Sequence, residues 1–293
     1  MLRKNKLLKQ FLLTYLLVII IILGTMLFVF RAVINVQLEG LEEAQMVQID
    51  LLEEEMREQV AQYKELAALI SGDSKMAKSW IALNHYNAYE ALVELKKYNA
   101  KCMNTESIAL FFLDDYLYTS SGCMDIDTYM TRTQTMRMDS RESFLQSIYD
   151  NRENFCMVSC ENGQKLLYYH CPIPVNDPNP HASVNFQLNI YAFEDKIKTL
   201  LKENAGYACL TLPDGTVIVE TGDSTLFSEV MGRAVGEAGT AFSFRKGGIG
   251  YRYQSRSIDA LNLTYHIIMN TAQITAPVDR IWRLGLMAVF AKM

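Results

Sequence analysis

The chain has 293 residues, of which 50% are hydrophobic and 21% charged, with a net charge of -5. That composition excludes a disordered chain, which is poor in apolar groups, and the length admits one large domain or two small ones. A mildly acidic balance without a basic stripe argues against direct nucleic-acid contact, and no self-similar repeat points to a solenoid or propeller.

Phe11 to Phe30 carries no charge. Twenty helical residues rise about 30 Å, the thickness of the hydrocarbon core. Arg3, Lys4, Lys6 and Lys9 precede this run, and acidic residues follow it from Glu39 to Glu58. The excess of basic residues on one side assigns residues 1–10 to the cytoplasm and exports what comes next. A cleaved signal peptide would have a shorter apolar stretch and a small-x-small site. Phe28-Val29-Phe30-Arg31-Ala32 offers none, so the sequence predicts an uncleaved anchor over 11–30.

Residues 31–72 continue as a long helix. Ile49, Leu52, Met56, Val60, Tyr63, Ala67 and Ile70 recur every three or four positions and make one apolar face. The same spacing approaches a heptad, so the stalk could pair with a second copy of itself as a homodimer. Ser71-Gly72-Asp73 stops the helix. Further helix is expected over 74–99, with Trp80, Leu83, Tyr86 and Leu92 in the core.

Five strands follow. Residues 107–113 and 116–121 flank Asp114-Asp115, and 155–160 and 165–171 flank Asn162-Gly163, both hairpin signals. Between the two hairpins, Ser140 to Tyr149 reads as a short helix with Ser140 at its N-cap. The fifth strand, Ala182 to Ile190, alternates, with Ala182, Val184, Phe186, Leu188 and Ile190 on one face and Ser183, Asn185, Gln187 and Asn189 on the other. A linking helix over 192–204 leads to a second set of five strands at 207–212, 216–220, 241–245, 249–255 and 261–269, with a helix at 225–235. Turns are expected at Pro213-Asp214-Gly215 and Lys246-Gly247-Gly248. At the C-terminus, Leu284 to Ala291 is apolar but covers only about 12 Å as a helix. It reads as the start of a second span cut short, or as an interfacial helix.

The segments SIALFFLDDYLYTSSG, KLLYYHCPIP followed by ASVNFQLNI, YACLTLPDGTVIVETGD and IGYRYQSRSIDALNLTYHIIM, in this order behind a membrane anchor, resemble the double Cache sensor domain. The resemblance spans residues 32–276. It implies an α+β fold: an N-terminal transmembrane helix continuing into a long helix, then two PAS-like antiparallel-sheet units. The implied divisions are a cytoplasmic tail (1–10), the transmembrane helix (11–30), the stalk (31–72), a membrane-distal unit (73–204), a membrane-proximal unit (205–276) and the start of a second span (277–293). In that family the distal unit usually binds a small extracellular ligand. The anchor with this domain is most similar to the N-terminal half of membrane-bound AraC-type transcriptional regulators, with sensor histidine kinases next. Family members that bind amino acids carry a Tyr/Arg/Trp cluster in the distal unit. Here the two tryptophans, Trp80 and Trp282, lie in the flanking helical segments, so that specificity is not implied and the small-molecule ligand stays open.

No catalytic motif is present: GxSxG, HExxH, GxxxxGK[ST] and GxGxxG are all missing. The chain therefore does not read as an enzyme. Four scattered histidines, His85, His170, His181 and His266, lack metal-ligand spacing, and no cofactor is implied. Six cysteines are exported, and Cys156–Cys171 and Cys102–Cys123 are conceivable disulfides, against buried free thiols. The candidate ligand site gathers Asn185 and Gln187 on the polar strand face, Tyr168 and His170 on the preceding strand, and Tyr129 and Arg132 on a segment able to cover the sheet. The alternative is a solvated sheet face. Two function classes follow: a membrane-anchored extracytoplasmic sensor, or a non-sensing scaffold that dimerises through its stalk.

Overall fold

In the computed structural model a single helix, α1 (Leu2–Gly72), runs unbroken through the apolar run and on along two antiparallel sheets. The structure describes residues 2–102, 104–112, 116–119, 122–132, 145, 146, 148, 150–159, 165–175, 177, 179–200, 206–234 and 241–272. Residues 11–37 are long and apolar enough to cross a membrane, and none of the most apolar stretch is buried. The expected second span from residue 277, the turn at Asp114-Asp115 and most of the helix from Ser140 lie outside the described residues.

Above the apolar run, one face of α1 is buried. Ile49, Leu52, Met56, Val60, Tyr63, Leu66, Ala67 and Ile70 are all enclosed, including every position the spacing singled out. Each such aliphatic side chain removed from water is worth about 1.5–3 kcal/mol. This burial, rather than intrinsic propensity, fixes the helix against the sheets. α1 ends at Gly72, and Asp73 accepts a hydrogen bond from the Lys75 amide at 2.9 Å to start a 3₁₀ turn at Ser74–Met76.

The expected helix over 74–99 is broken. α2 (Lys78–Ile81) is one turn, and α3 (His85–Lys101) begins afresh at Asn84, whose side chain accepts from the Asn87 amide at 2.9 Å. That cap sets the helix register. It turns Asn87, Ala91 and Leu95 inward and leaves Leu83 and Tyr86 largely exposed, contrary to expectation for the last two.

The first sheet has strands β1 (Thr105–Phe112), β2 (Tyr116–Thr119), β3 (Gly122–Asp125), β4 (Phe155–Ser159), β5 (Lys165–Ile173) and β6 (Ala182–Leu188), in the order β3-β2-β1-β6-β5-β4. It has six strands where five were expected. The extra one, β3, turns back after Thr119, whose hydroxyl is 3.0 Å from the Gly122 carbonyl and 3.1 Å from its amide. Those side-chain bonds replace the turn dipeptide that sequence reading looks for. A short helix, α4 (Ile126–Arg132), leaves β3 and covers the sheet face turned away from α1.

The connecting helix α5 (Ile190–Leu200) leads to the second sheet: β7 (Tyr207–Thr211), β8 (Val217–Gly222), helix α6 (Ser224–Ala234), β9 (Ala241–Lys246), β10 (Ile249–Ile258) and β11 (Leu263–Asn270). The strand order is β8-β7-β11-β10-β9. Both expected turns are present. Gly215 adopts φ 82° after Pro213-Asp214, and Gly247 and Gly248 adopt φ 59° and 83° in a hairpin whose two loop positions need left-handed backbone.

The two sheets share one core along α1. It joins Ile108, Val184 and Phe186 of the first sheet to Leu210, Tyr265 and Ile267 of the second. At its centre Tyr63 stacks on Phe186 with ring centroids 4.7 Å apart and lies 5.6 Å from the ring of Tyr169. Lower down, Arg256 of β10 pairs with Asp50 and with Glu53 at 3.4 Å, and Gln254 and Arg256 both approach the sulfur of Met46.

The five described cysteines are free thiols. The Cys156–Cys171 pairing fails because the β4–β5 register sets Cys156 opposite Tyr168, not Tyr169. A shift of one residue moves a side chain to the other face of a sheet, so Cys171 lies in the core against α1 while Cys156 lies on the opposite face. Cys102 is buried and Cys123 is exposed on β3.

Truncating Tyr63 to Ala should cost about 3–5 kcal/mol, the range for a large aromatic deleted from a packed core. Urea unfolding followed by circular dichroism checks it. An Arg256→Ala variant should lose less than about 1 kcal/mol, because that ion cluster is partly solvated.

Candidate functional site

The face of the first sheet turned away from α1 is not solvated. Strand alternation puts Ser183, Asn185 and Gln187 of β6, and Leu166, Tyr168 and His170 of β5, on this side. The cross-strand register then lines up rows of facing side chains. One row runs Thr119–Ala109–Asn185–His170, and the next runs Ser107–Gln187–Tyr168–Cys156. Thr119, His170, Ser183 and Asn185 are all buried polar residues. Burying such groups costs free energy unless partners are found, so a buried polar row on a sheet face is an arrangement that packing alone would not select.

α4 closes one end of this face. Ile126 and Tyr129 join Ala109, Phe111 and Leu117 in an apolar cluster, with Tyr129 edge-on to Phe111 at 5.7 Å. The Tyr129 hydroxyl lies 3.4 Å from that of Tyr168. Tyr168 in turn stacks on the imidazole of His170, with centroids 6.1 Å apart and planes 14° from parallel. A hydroxyl–hydroxyl distance of about 2.7–2.8 Å is usual, so the contact between the two tyrosines is a long one.

Five of the six residues picked from sequence have described side chains, and four of these come together: Tyr129, Tyr168, His170 and Asn185. Gln187 stands at the edge of the group with its amide already used. It donates to Glu106 at 2.7 Å and accepts from Ser107 at 3.0 Å. Arg132 is the last residue of α4, three positions after Tyr129, and its side chain lies outside the described residues. Ser183 was not picked, although the same alternation pointed to it. Its hydroxyl donates to Asn185 Oδ1 at 2.9 Å and lies 3.2 Å from the Cys171 carbonyl. Arg152 was also missed. It bridges in parallel to His170 just before β4 begins, a pairing with no sequence signal.

Burial holds the His170 imidazole down at about 4, with a smaller opposing contribution from a hydrogen bond to Asn185. The ring is therefore neutral at physiological pH. Its Nδ1 is buried and has no hydrogen-bond partner.

A second buried histidine sits in the second sheet, also on the face away from α1. His266 Nδ1 is 2.8 Å from the Tyr253 hydroxyl and its Nε2 is 3.0 Å from the Thr211 hydroxyl. Phe227 of α6 meets the ring edge-on at 5.2 Å. Both ring nitrogens are satisfied, so this cluster reads as a structural core, and burial again lowers the imidazole to about 4.

Two of the open clefts among the described residues lie elsewhere. One of about 330 Å³ separates the two sheets, lined by Glu106, Lys165, Tyr191, Glu194 and Glu220 among others. Its carboxylates are already engaged, by Gln187, Lys198 and Tyr207 respectively. The other, of about 760 Å³, lies between the α2–α3 corner and β2–β3. Neither contains an orphaned buried polar group. No cluster of three metal-ligating side chains occurs among the described residues.

This two-sheet arrangement on one long helix is the fold of known bacterial sensory domains. The sensory domain of the Campylobacter jejuni chemoreceptor Tlp3, solved with isoleucine bound, superposes with a TM-score of 0.52 at 11% identity, over 83% of this chain and 97% of that one. The ligand-binding domain of Mlp24 with asparagine gives 0.52 at 15% identity, over 85% and 99%. The extracellular domain of vpHK1S-Z8, a protein assigned as a histidine kinase, gives 0.53 at 12% identity, over 82% and 95%. The chain has the double Cache fold. At these identities the likeness is one of fold alone. No family model matches the sequence, and no curated protein does.

For His170 and His266 the folded value lies below the ordinary 6.5. Folding then favours the neutral rings, so their contribution is complete above about pH 6.5 and is lost as pH falls toward 4. Each is worth up to about 3 kcal/mol. The urea midpoint should fall steeply over that window, and in an H170Q/H266Q double variant the slope should flatten.

Proposed function

We propose that this protein is a membrane-anchored extracytoplasmic sensor whose first sheet binds a small polar molecule on the face away from α1. The single observation that carries the reading is the buried polar row centred on His170 and Asn185, with an imidazole nitrogen left unpartnered beside the Tyr168 ring. The neighbours of the same fold support it, since the Tlp3 sensory domain and the Mlp24 ligand-binding domain were solved with isoleucine and asparagine. On this reading the distal unit over 73–204 takes the ligand, and the proximal unit over 205–276 passes the change to the membrane. Tyr129, Arg132, Tyr168, His170 and Asn185 form the site, with Gln187 at its rim.

The output is proposed as an AraC-type DNA-binding regulator, with a histidine kinase as second choice. The stalk is proposed to pair with that of a second copy. Val47 and Leu51, exposed on the side of α1 away from the sheets, supply apolar contact for it. The basic residues before Phe11 favour a cytoplasmic N-terminus and an exported remainder.

Two measurements test this. A reporter fused after Asn270 should be active only outside the cytoplasm, and cytoplasmic activity would overturn the topology. Thermal shift of the full chain in detergent, against sugars, organic acids, amines and short peptides, should reveal a stabilising compound. A hundredfold excess over Kd is worth about 2.7 kcal/mol. Asn185→Ala should abolish that response, while Gln187→Ala should largely keep it. A response equal in both variants would place the site elsewhere.

A further inference from the structure

The contacts between α1 and β10 fix which end of the second sheet points toward the apolar run. Gln254 touches α1 at Met46, and Arg256, two residues further along β10, reaches Asp50 and Glu53 as well as Met46. β10 therefore climbs in the same direction as α1. The other end of the sheet agrees: Asn262, a short turn beyond β10, donates to Asn154 of the first sheet at 2.7 Å. Followed downward, β10 drops about 17 Å from Gln254 to its first residue, Ile249. Along α1 only about 14 Å separate Met46 from Gln37, where the apolar run ends. The β9–β10 turn thus comes level with the end of that run even with the strand inclined by about 35° to the helix. α1 is helical throughout, so the turn and the apolar run belong to one rigid frame.

The side chains at this turn differ from those of the rest of the sheet. Ile249 is 40% exposed, and it is the one large apolar side chain left exposed between residues 205 and 276 among the described residues. Gly247 and Gly248 beside it are exposed as well. Lys246, directly opposite Ile249, is already held by the Thr225 hydroxyl and carbonyl at 2.8 Å. Arg245 lies on the other face of the hairpin opposite Gly250, exposed, with no hydrogen bond or ion pair among the described residues. A step behind the turn, Tyr251 stacks on Phe244 with ring centroids 5.4 Å apart. An apolar tip, an unpaired guanidinium and a pair of aromatic rings suit the boundary between lipid and water better than open water.

From this placement we infer that the β9–β10 turn is a lipid-contact surface, with Ile249 entering the headgroup layer of the bilayer and Arg245 meeting lipid phosphates. The inference rests on the reading of residues 11–37 as a membrane span. The headgroup layer is about 6 Å deep on each side, enough to take the turn while the strands behind it stay paired. Such a contact gives the second sheet a footing on the bilayer beside α1, so that a movement of the sheet against the helix is also a movement across the lipid surface.

The test uses the full chain in lipid nanodiscs, with the photoreactive residue benzoylphenylalanine placed singly at Phe28, Ile249 or Tyr86 and captured lipid read by mass spectrometry. Phe28 is exposed within the apolar run and reports on the span, while Tyr86 is exposed on α3 and serves as the control remote from the membrane. All three positions are exposed, so the replacements leave the core intact. Phe28 and Ile249 should both capture lipid, and Tyr86 should not. Capture at Phe28 without capture at Ile249 would overturn the inference and leave the span standing. No capture at Phe28 would sink the span and the inference together. Ile249 trapping a second copy of the chain in place of lipid, or no more lipid than Tyr86 does, would also overturn it. In bilayers rich in phosphatidylglycerol, Arg245→Ala should lower capture at Ile249 about fivefold, the share of one basic residue at an anionic surface, and it should change nothing in neutral phosphatidylcholine. An equal loss in both bilayers, or none in either, would overturn the phosphate contact.

Discussion

The stacking of Tyr63 on Phe186 ties the molecule together. Each sheet alone has one apolar face and nothing of its own to cover it. α1 supplies the cover for both, and Phe186 in β6 is where the helix meets the middle of the first sheet. With that face committed to α1, strand alternation forces every second residue of β5 and β6 to the other side. The placement of Ser183, Asn185 and His170 on that side is thus a direct consequence of where the helix lies. The site and the stalk are the two faces of the same strands, so a rearrangement around Asn185 is only one sheet thickness from Tyr63.

Much of this was legible in the sequence. The spacing of Ile49, Leu52, Met56, Val60, Tyr63, Ala67 and Ile70 is unambiguous for a helix, and the alternation from Ala182 to Ile190 is unambiguous for a strand with one buried face. Together they pointed to a buried helix face and to a polar strand face opposite it. Chain-local patterns do not, however, carry register. Asn162-Gly163 was read as a two-residue turn, and β4 pairs with β5 one residue away from that assignment, enough to put Cys156 and Cys171 on opposite faces. β3 was missed because its turn is held by the Thr119 side chain rather than by glycine or asparagine. The exposure of Leu83 and Tyr86 could not be foreseen without knowing that Asn84 restarts the helix.

The two buried histidines show how similar residues take different parts. Both stand in central regions of their sheets on the side away from α1, and burial keeps both rings neutral. His266 finds a hydroxyl for each nitrogen, so its surroundings are complete. His170 finds a partner for one nitrogen only. Nothing in the sequence separates them: each follows a β-branched or aromatic neighbour in an apolar strand. The difference arises from the side chains in reach: the hydroxyls of Thr211 and Tyr253, diagonal to His266, in one case, and Asn185, directly opposite His170, in the other.

α1 also has a mechanical property. It contains no proline, the commonest cause of a sharp bend, and its helical hydrogen bonding is continuous from Leu2 to Gly72. Between Tyr63, where the first sheet grips it, and Gln37, where the apolar run ends, the rod is about 39 Å long. A stiff rod of that length acts as a lever arm: a tilt of about 5° at Tyr63 carries the lower end sideways by about 3 Å. Along that span Ile49, Leu52, Met56 and Val60 also lie in the core, and the lowest of the contacts described are the partly solvated Arg256 ion pairs and the soft sulfur of Met46. Those lowest contacts act as a compliant bearing, so a tilt that the helix shares with the sheets packed on it arrives at the membrane surface amplified as translation.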